Sequence, residues 1–326
     1  MKIGIVGYGN VGKGVEQAIA LNPDSELFAI YTRRDPSEIT PVTKGVQVLP
    51  MSALNTRAGG PDVLILCGGS ATDLPEMTPA LASKYTVVDS FDTHAKIPEH
   101  FSKVNKATEK NKTVAIISAG WDPGLFSLAR TYMLSAIPAG KTYTFWGVGV
   151  SQGHSDAIRR IPGVADARQY TIPIDEAINS VRLGESPDLT TRQKHKRDCY
   201  VVLKDGADAE KIKNAIITMP NYFDEYDTTV TFISQQEMDQ KHSEMPHGGS
   251  VIRTGLANEK GNHKSVMEFS LKLDSNPEFT GGVLLACARA AYKMKSRGMS
   301  GCYTMLDIAP ADLLPLTREE ILKTLV

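Results

Sequence analysis

The sequence predicts an α/β protein in which a doubly wound parallel sheet is joined to a second, α+β domain with a mixed or antiparallel sheet. Three observations predict it. The first third of the chain alternates short β-rich runs with helical segments. The first of those runs stops at three glycines spaced G-x-G-x-x-G, in "KIGIVGYGNVGKG" at residues 2–14. Past "SAGWDPG" at 118–124 the strands lengthen and begin to exchange polar and apolar residues, as in a sheet with one face in the core and one toward water.

Residues 3–6, 27–31, 63–67, 86–88 and 114–117 read as buried strands, each running into glycine, a small polar residue or aspartate. Between them, residues 12–21 and "TDLPEMTPALASK" at 72–84 read as helices. Strand, helix, strand in repetition gives a Rossmann-type sheet with helices on both faces and ligands at the carboxyl ends of the strands. In the second half "KTYTFWGV", "ARQYTIP", "KRDCYVVLK", "DTTVTFIS", "GSVIRTG" and "SVMEFSLKL" read as half-buried antiparallel strands, with helices at "DEAINSVRLG" and "DAEKIKNAIITM" packed on one face. Residues 277–297 place Phe279, Val283, Leu284, Cys287, Ala290, Ala291 and Met294 at helical spacings, and Gly298 follows as a stop signal. The expected division is one domain over 1–120, completed by 299–326, and a second over 121–298.

A chain of 326 residues exceeds the usual single-domain size and can bury a large core. Hydrophobic residues at 41% and charged residues at 22%, with a formal charge of -1, give no sign of a nucleic-acid or membrane partner, so the partner is expected to be small. Cys67, Cys199, Cys287 and Cys302 lie far apart without C-x-x-C spacing, which suits reduced thiols in a cytoplasm and implies no metal. The N-terminus carries no signal-like apolar segment, and no stretch of about eighteen apolar residues follows.

Gly7, Gly9 and Gly12 stand directly after a strand and before a helix, the context in which their spacing has a mechanism. The first permits a tight turn, the second lets backbone approach a pyrophosphate, and the third allows close helix–strand packing. At the end of the second strand, where an NAD site would place an acid, stand Thr32, Arg33 and Arg34. Two guanidinium groups suit a 2'-phosphate and favour NADP; the competing reading is a solvated arginine pair with Asp35 as the acid. Later strand ends add "CGGSATD" at 67–73, "VDSFDTH" at 88–94 and "AGWDPG" at 119–124, bringing Asp73, Asp89, Asp92, Trp121 and Asp122 toward the crevice. Each alone is ordinary as a cap, turn or core residue; their clustering after successive strands points to function. His242 and His247 have no companion ligands nearby, and His195, among lysines and arginine, reads as part of a solvated strand end.

Taken in order, "GYGNVG", "TRR", "CGGSATD", "DSFDTH", "SAGWDPG", "TFWGVGVSQGHSDAIRRIPGV", "HKRDCYVV", "MPHGG" and "LKLDSNPEF" closely resemble the meso-diaminopimelate dehydrogenase family. The resemblance spans nearly the whole chain, and its specific part is the block at 145–164. It implies NADP-dependent oxidative deamination of the D-centre of meso-2,6-diaminopimelate to L-2-amino-6-oxopimelate, ammonia and NADPH, reversibly, for lysine and cell-wall synthesis. It further implies a homodimer, with the first domain binding the dinucleotide and the second the substrate and the partner subunit. Cofactor contacts then fall on Gly7, Tyr8, Gly9, Asn10, Val11, Gly12, Thr32, Arg33, Arg34, the segment Cys67, Gly68, Gly69, Ser70, Ala71, Thr72, and on Asp92, Trp121, Pro123 and Gly124. The D-centre site falls on Asp92, Asp122, Trp121, Phe145, Trp146, Gln152 and Gly153, with Asp92, Asp122 and Trp121 nearest the chemistry. The L-centre grip falls on Thr171, Arg197, His247 and Asn276, with Asp156 nearby. The loop "NEKGNHKS" at 258–265 has no fixed alignment, so tolerance for simpler D-amino acids stays open.

Two other readings compete. An NADP-linked semialdehyde or homoserine-type dehydrogenase shares the amino-terminal architecture, and its semialdehyde form needs a nucleophilic cysteine, for which Cys67 is placed. A non-catalytic NADPH sensor would use the second domain for partners instead.

Overall fold

The computed structural model describes residues 1–55, 59–256 and 263–326. Residues 258–262 of the expected loop lie outside them. Among the described residues fourteen strands follow in chain order: β1 (Lys2–Val6), β2 (Glu26–Thr32), β3 (Gln47–Pro50), β4 (Val63–Leu66), β5 (Val87–Asp89), β6 (Val114–Ile116), β7 (Gly140–Trp146), β8 (Gly149–Val150), β9 (Val164–Pro173), β10 (His195–Leu203), β11 (Asp227–Phe232), β12 (His247–Leu256), β13 (Lys264–Leu273) and β14 (Gly301–Tyr303). They divide between two compact units, Met1–Leu128 with Pro277–Val326, and Ala129–Asn276.

The first unit holds a seven-stranded sheet in the order β14-β6-β5-β4-β1-β2-β3, with every pairing parallel. β1 lies between β2 and β4, so the strand order reverses there, the place where doubly wound sheets open a crevice. The expected strands are present within a residue or two. β3 and β14 were not expected: β3 is a half-exposed edge strand and β14 has three residues, too short for a hydrophobic period. Helices Asn10–Ala20, Leu74–Ala82 and Ile97–Asn111 connect the strands.

The helix Asn276–Ser296 runs where 277–297 was expected, yet it packs in the first unit. Leu284, Cys287, Ala288 and Ala291 are buried with Ile3, Ile5 and Val15. A Cβ on Gly14 would strike the Pro277 carbonyl, and one on Gly281 would strike the Gly14 backbone, so two glycines let this helix lie against Asn10–Ala20. The return to the first unit therefore comes at 277 rather than 299, and the first crossing at 128 rather than 120.

The second unit holds two sheets rather than one. In β11-β10-β9-β8 the β10–β11 pair is parallel and the others antiparallel; β13-β12-β7 is antiparallel throughout. β12 departs from the expected half-buried pattern, because it is the central strand and nearly all of it is buried. Helix Ala209–Ile217 covers Val164, Cys199 and Val201 through Ile212 and Ile216, and helix Asp175–Arg182 covers Tyr143, Phe145 and Ile252 through Ile178 and Val181. All four cysteines are free. Among the described residues no helix is long and apolar enough to cross a membrane, and no group of three potential metal ligands stands together.

Candidate active site

In the first unit β1 ends at Val6 and the chain turns through Gly7, at φ +91°. Helix Asn10–Ala20 then starts with Gly9 as its cap, and no side chain caps it, so its amide end suits an anion. A Cβ on Gly12 would strike the Gly7 carbonyl, whereas one on Gly9 would meet nothing within 4 Å. The protein itself explains Gly12; the open space at Gly9 fits a cradle for a pyrophosphate.

Around that turn the structure gathers three segments. Arg34 donates from Nη2 to the Tyr8 carbonyl at 2.6 Å and from its main chain to the Thr32 hydroxyl at 3.0 Å. Arg33, with 66% of its side chain exposed, pairs with Asp73 at 2.8 Å, and Asp73 also accepts the Gly69 N–H at 2.9 Å. Thr32, Arg33 and Arg34 are thus joined to Tyr8 in the glycine turn and to the segment 67–73, with positive charge at the rim. Asp35 is engaged elsewhere: it caps the short helix Pro36–Glu38, and the Ser37 N–H, then the Ser37 hydroxyl, hold its carboxyl below the usual range. The donor set fits a 2'-phosphate better than a ribose diol.

Farther along the same strand ends, Asp92 is exposed and its N–H donates to the Ser70 hydroxyl at 2.9 Å. Trp121 is almost buried and meets Phe126 edge-on at 5.2 Å. The turn from Gly120 to Gly124 is tight, since a Cβ on Gly124, at φ +129°, would strike the Gly120 carbonyl. Asp89, expected at the crevice, is instead entirely buried.

The second unit builds its half-site on facing residues of β9 and β10. Thr171 and Arg197 are direct partners in the antiparallel register, so side chains on one face meet, and Arg197 donates to the Thr171 hydroxyl. Arg197 is only 5% exposed. Burial pushes its basicity down, Tyr226 partly restores it, and the guanidinium lies 4.0 Å over the Tyr226 ring. Its Nε has no hydrogen-bond partner, and no carboxylate pairs with it among the described residues. A buried guanidinium without a counter-ion is costly, and a bidentate carboxylate is the ligand its geometry suits.

Three imidazoles lie near enough to this charge for it to disfavour their protonation. Burial first, then Arg197, push His154 down to about 4 and His195 to about 3; burial is also the main cause lowering His247. His195 corrects the expectation of a solvated strand end: it is 1% exposed, accepts the Trp146 N–H at Nε2 at 2.9 Å and stacks on the Trp146 ring at 5.4 Å. The signal was present in "HKRDCYV", where His195, Arg197, Cys199 and Val201 share the inward phase of a strand. Phe145 is fully buried among Tyr143, Ile178, Val181 and Ile252 and forms the wall behind His195. Gln152 reaches Met245 Sδ at 2.7 Å, and the Asn276 N–H donates to the Met245 carbonyl at 3.1 Å. Gly153 has open space where a side chain would project, and a Cβ on Gly149 would strike His247. Asp156 pairs with Arg159.

The sequence profile described as the diaminopimelic acid dehydrogenase C-terminal domain matches residues 120–275. The chain is 57% identical to the meso-diaminopimelate D-dehydrogenase of Ureibacillus thermosphaericus, over 100% of this chain and 99% of that one. Among solved structures, that of a Corynebacterium glutamicum DAP dehydrogenase in complex with DAP is similar with a TM-score of 0.93 and 45% identity, covering 100% of this chain and 99% of the other. An engineered D-amino acid dehydrogenase bound to NADP+ is similar with a TM-score of 0.88 and 44% identity, again over 100% and 99%.

Proposed function

This chain belongs to the meso-diaminopimelate D-dehydrogenase family, and from that premise we propose how its residues divide the work of oxidising the D-centre of meso-2,6-diaminopimelate to L-2-amino-6-oxopimelate, ammonia and NADPH. The single observation that carries the assignment of residues is Arg197, a buried cation opposite Thr171 that pairs with no carboxylate among the described residues. It takes the carboxylate of the L-centre, with Thr171, His247 and Asn276 beside it and Asp156 at the margin. The two ends of the substrate carry the same groups and differ only in handedness, so holding the L end fixes which α-carbon is offered for reaction.

Gly7, Tyr8, Gly9, Asn10, Val11 and Gly12 hold the pyrophosphate of NADP, Thr32, Arg33 and Arg34 its 2'-phosphate, and residues 67–72, Asp92, Trp121, Pro123 and Gly124 the remainder. The bound nicotinamide supplies the hydride acceptor. Asp92, Asp122, Trp121, Phe145, Trp146, Gln152 and Gly153 receive the D-centre. Hydride leaves an α-carbon readily only from a neutral amine, so Asp92 or Asp122 orients the ammonium and takes its proton directly or through water. Trp121 and Trp146 present apolar walls to the reacting end, and the imine left by hydride transfer takes up one water there to give the 6-oxo group and ammonia. The enzyme works as a cytoplasmic homodimer.

The semialdehyde reading needs a thiolate at Cys67, but burial pushes that thiol up to about 12, so it stays protonated at neutral pH. The test is NADPH formation with meso-, L,L- and D,D-diaminopimelate and simple D-amino acids, each with NADP and with NAD. Turnover of the meso isomer with NADP is expected; silence with every diaminopimelate isomer overturns the proposal.

A further inference from the structure

Asp89 closes β5 and is fully buried, where an acid is rarely found without partners. It has four side-chain contacts. Oδ1 accepts the Ser118 N–H at 2.8 Å and the Phe91 N–H at 3.1 Å; Oδ2 accepts the Thr78 hydroxyl at 2.7 Å and faces His100 Nε2 at 2.7 Å. Its main-chain carbonyl takes the Ala119 N–H at 2.9 Å. A carboxylate only accepts, so Nε2 of His100 carries the hydrogen. The imidazole, itself 3% exposed, also stacks on Phe91 with ring centroids 4.2 Å apart.

These contacts converge on the roots of two loops. Phe91 immediately precedes Asp92, and Ser118 and Ala119 immediately precede the turn that carries Trp121 and Asp122. Asp92 is exposed, and among the described residues only the Ser70 hydroxyl, at 2.9 Å, holds its N–H, so its place depends on that bond together with what holds Phe91. Ser118 sits at φ +55°, a strained conformation for a residue with a Cβ, and its buried hydroxyl has no partner. Its backbone is held by Asp89 and not by its own side chain.

We propose that Asp89, oriented by His100 and Thr78, is a positioning residue for the reaction: one buried carboxylate sets both loops that present the groups at the reacting end. The inference rests on the reading above, in which Asp92, Trp121 and Asp122 act there. A residue that only staples the sheet would move melting temperature, cofactor affinity and turnover together. A positioning residue lowers kcat far more than it weakens NADPH binding, because the phosphate contacts at residues 7–12 and 32–34 lie outside both loops.

The experiment compares Asp89→Ala, Asp89→Asn, His100→Phe and His100→Gln in the full chain. It reads kcat and KM for meso-diaminopimelate, NADPH affinity by cofactor fluorescence, and Trp121 emission in a Trp146→Phe background, the chain having two tryptophans. Asp89→Ala is expected to lower kcat about tenfold to a hundredfold, the scale of a small misplacement of reacting groups. NADPH affinity should fall by much less than kcat, and Trp121 emission should shift to the red. Asp89→Asn keeps an oxygen for the two N–H groups and recovers most of kcat. His100→Phe keeps the ring stack but removes a donor to Asp89 and lowers kcat, while His100→Gln, which can donate, restores it. Should Asp89→Ala not fold, the His100 pair decides alone. Unchanged kcat and emission in Asp89→Ala or His100→Phe overturns the proposal, as does an equal fall of stability, NADPH affinity and kcat in all variants. If the parent enzyme does not turn over meso-diaminopimelate, the functional reading fails, and Trp121 emission still reports whether Asp89 orders its loop.

Discussion

Replacing Arg197 with methionine separates binding from stability in one residue. The substitution removes the guanidinium while leaving an unbranched chain of similar reach over Tyr226. In the complex, one charge-assisted contact in a buried site is lost, about 1.5 to 3 kcal/mol, which lowers kcat/KM for meso-diaminopimelate by about ten- to a hundredfold or slightly more. In the free protein the same change removes a charge that is 5% exposed and pairs with no carboxylate among the described residues, and replacing such a charge with a hydrophobe of similar volume is neutral or stabilising. The melting temperature should therefore hold or rise as activity falls. A simple D-amino acid without a second carboxylate never uses the contact, so its kcat/KM should change little. The assay is NADPH formation against both substrates, with a thermal melt of the same preparation. An unchanged kcat/KM for meso-diaminopimelate, or an equal loss for both substrates, would refute the reasoning.

Three further outcomes are expected. Gly9→Ala should melt like the parent, because its Cβ meets nothing in the protein, yet bind NADPH poorly, whereas Gly12→Ala should lose both stability and binding through its clash with the Gly7 carbonyl; titration calorimetry beside a melt reads the difference. Arg34→Ala should reduce the preference for NADP over NAD by about tenfold or more, and kcat/KM measured with each cofactor checks it. Lowered histidines make stability fall with acid: the unfolded chain protonates near 6.5 while folded His195 resists until about 3 and His154 until about 4. Stability is then full above about pH 6.5 and declines below it, by about 2 kcal/mol for His195 at about pH 5. His195→Gln, whose amide can still accept the Trp146 N–H, should flatten the melting temperature against pH.

What was legible in the sequence is what local pattern controls. The alternation of short apolar runs with helices marks a parallel sheet because such strands are buried on both faces. The glycines at 7, 9 and 12 mark a tight strand-to-helix turn, with Gly7 at φ +91° and Gly12 against the Gly7 carbonyl, and the block at 145–164 carries the family. These features depend on neighbours in the chain, so the chain displays them. Tertiary structure decided what depends on distant neighbours. Arg33, Arg34 and Asp35 are adjacent in sequence, yet Arg34 joins the glycine turn while Asp35 turns away to cap Pro36–Glu38. Asp89 and Asp92 look alike in "VDSFD", yet one is enclosed by Thr78, His100 and Ser118 and the other is exposed. His195 looks solvated among lysines and arginine until strand register turns it inward with Arg197. The long helix looks continuous with the second domain until Gly14 and Gly281 bring it to the first. Charge, burial and domain membership are set by residues far away in the chain, and only folding brings those residues together.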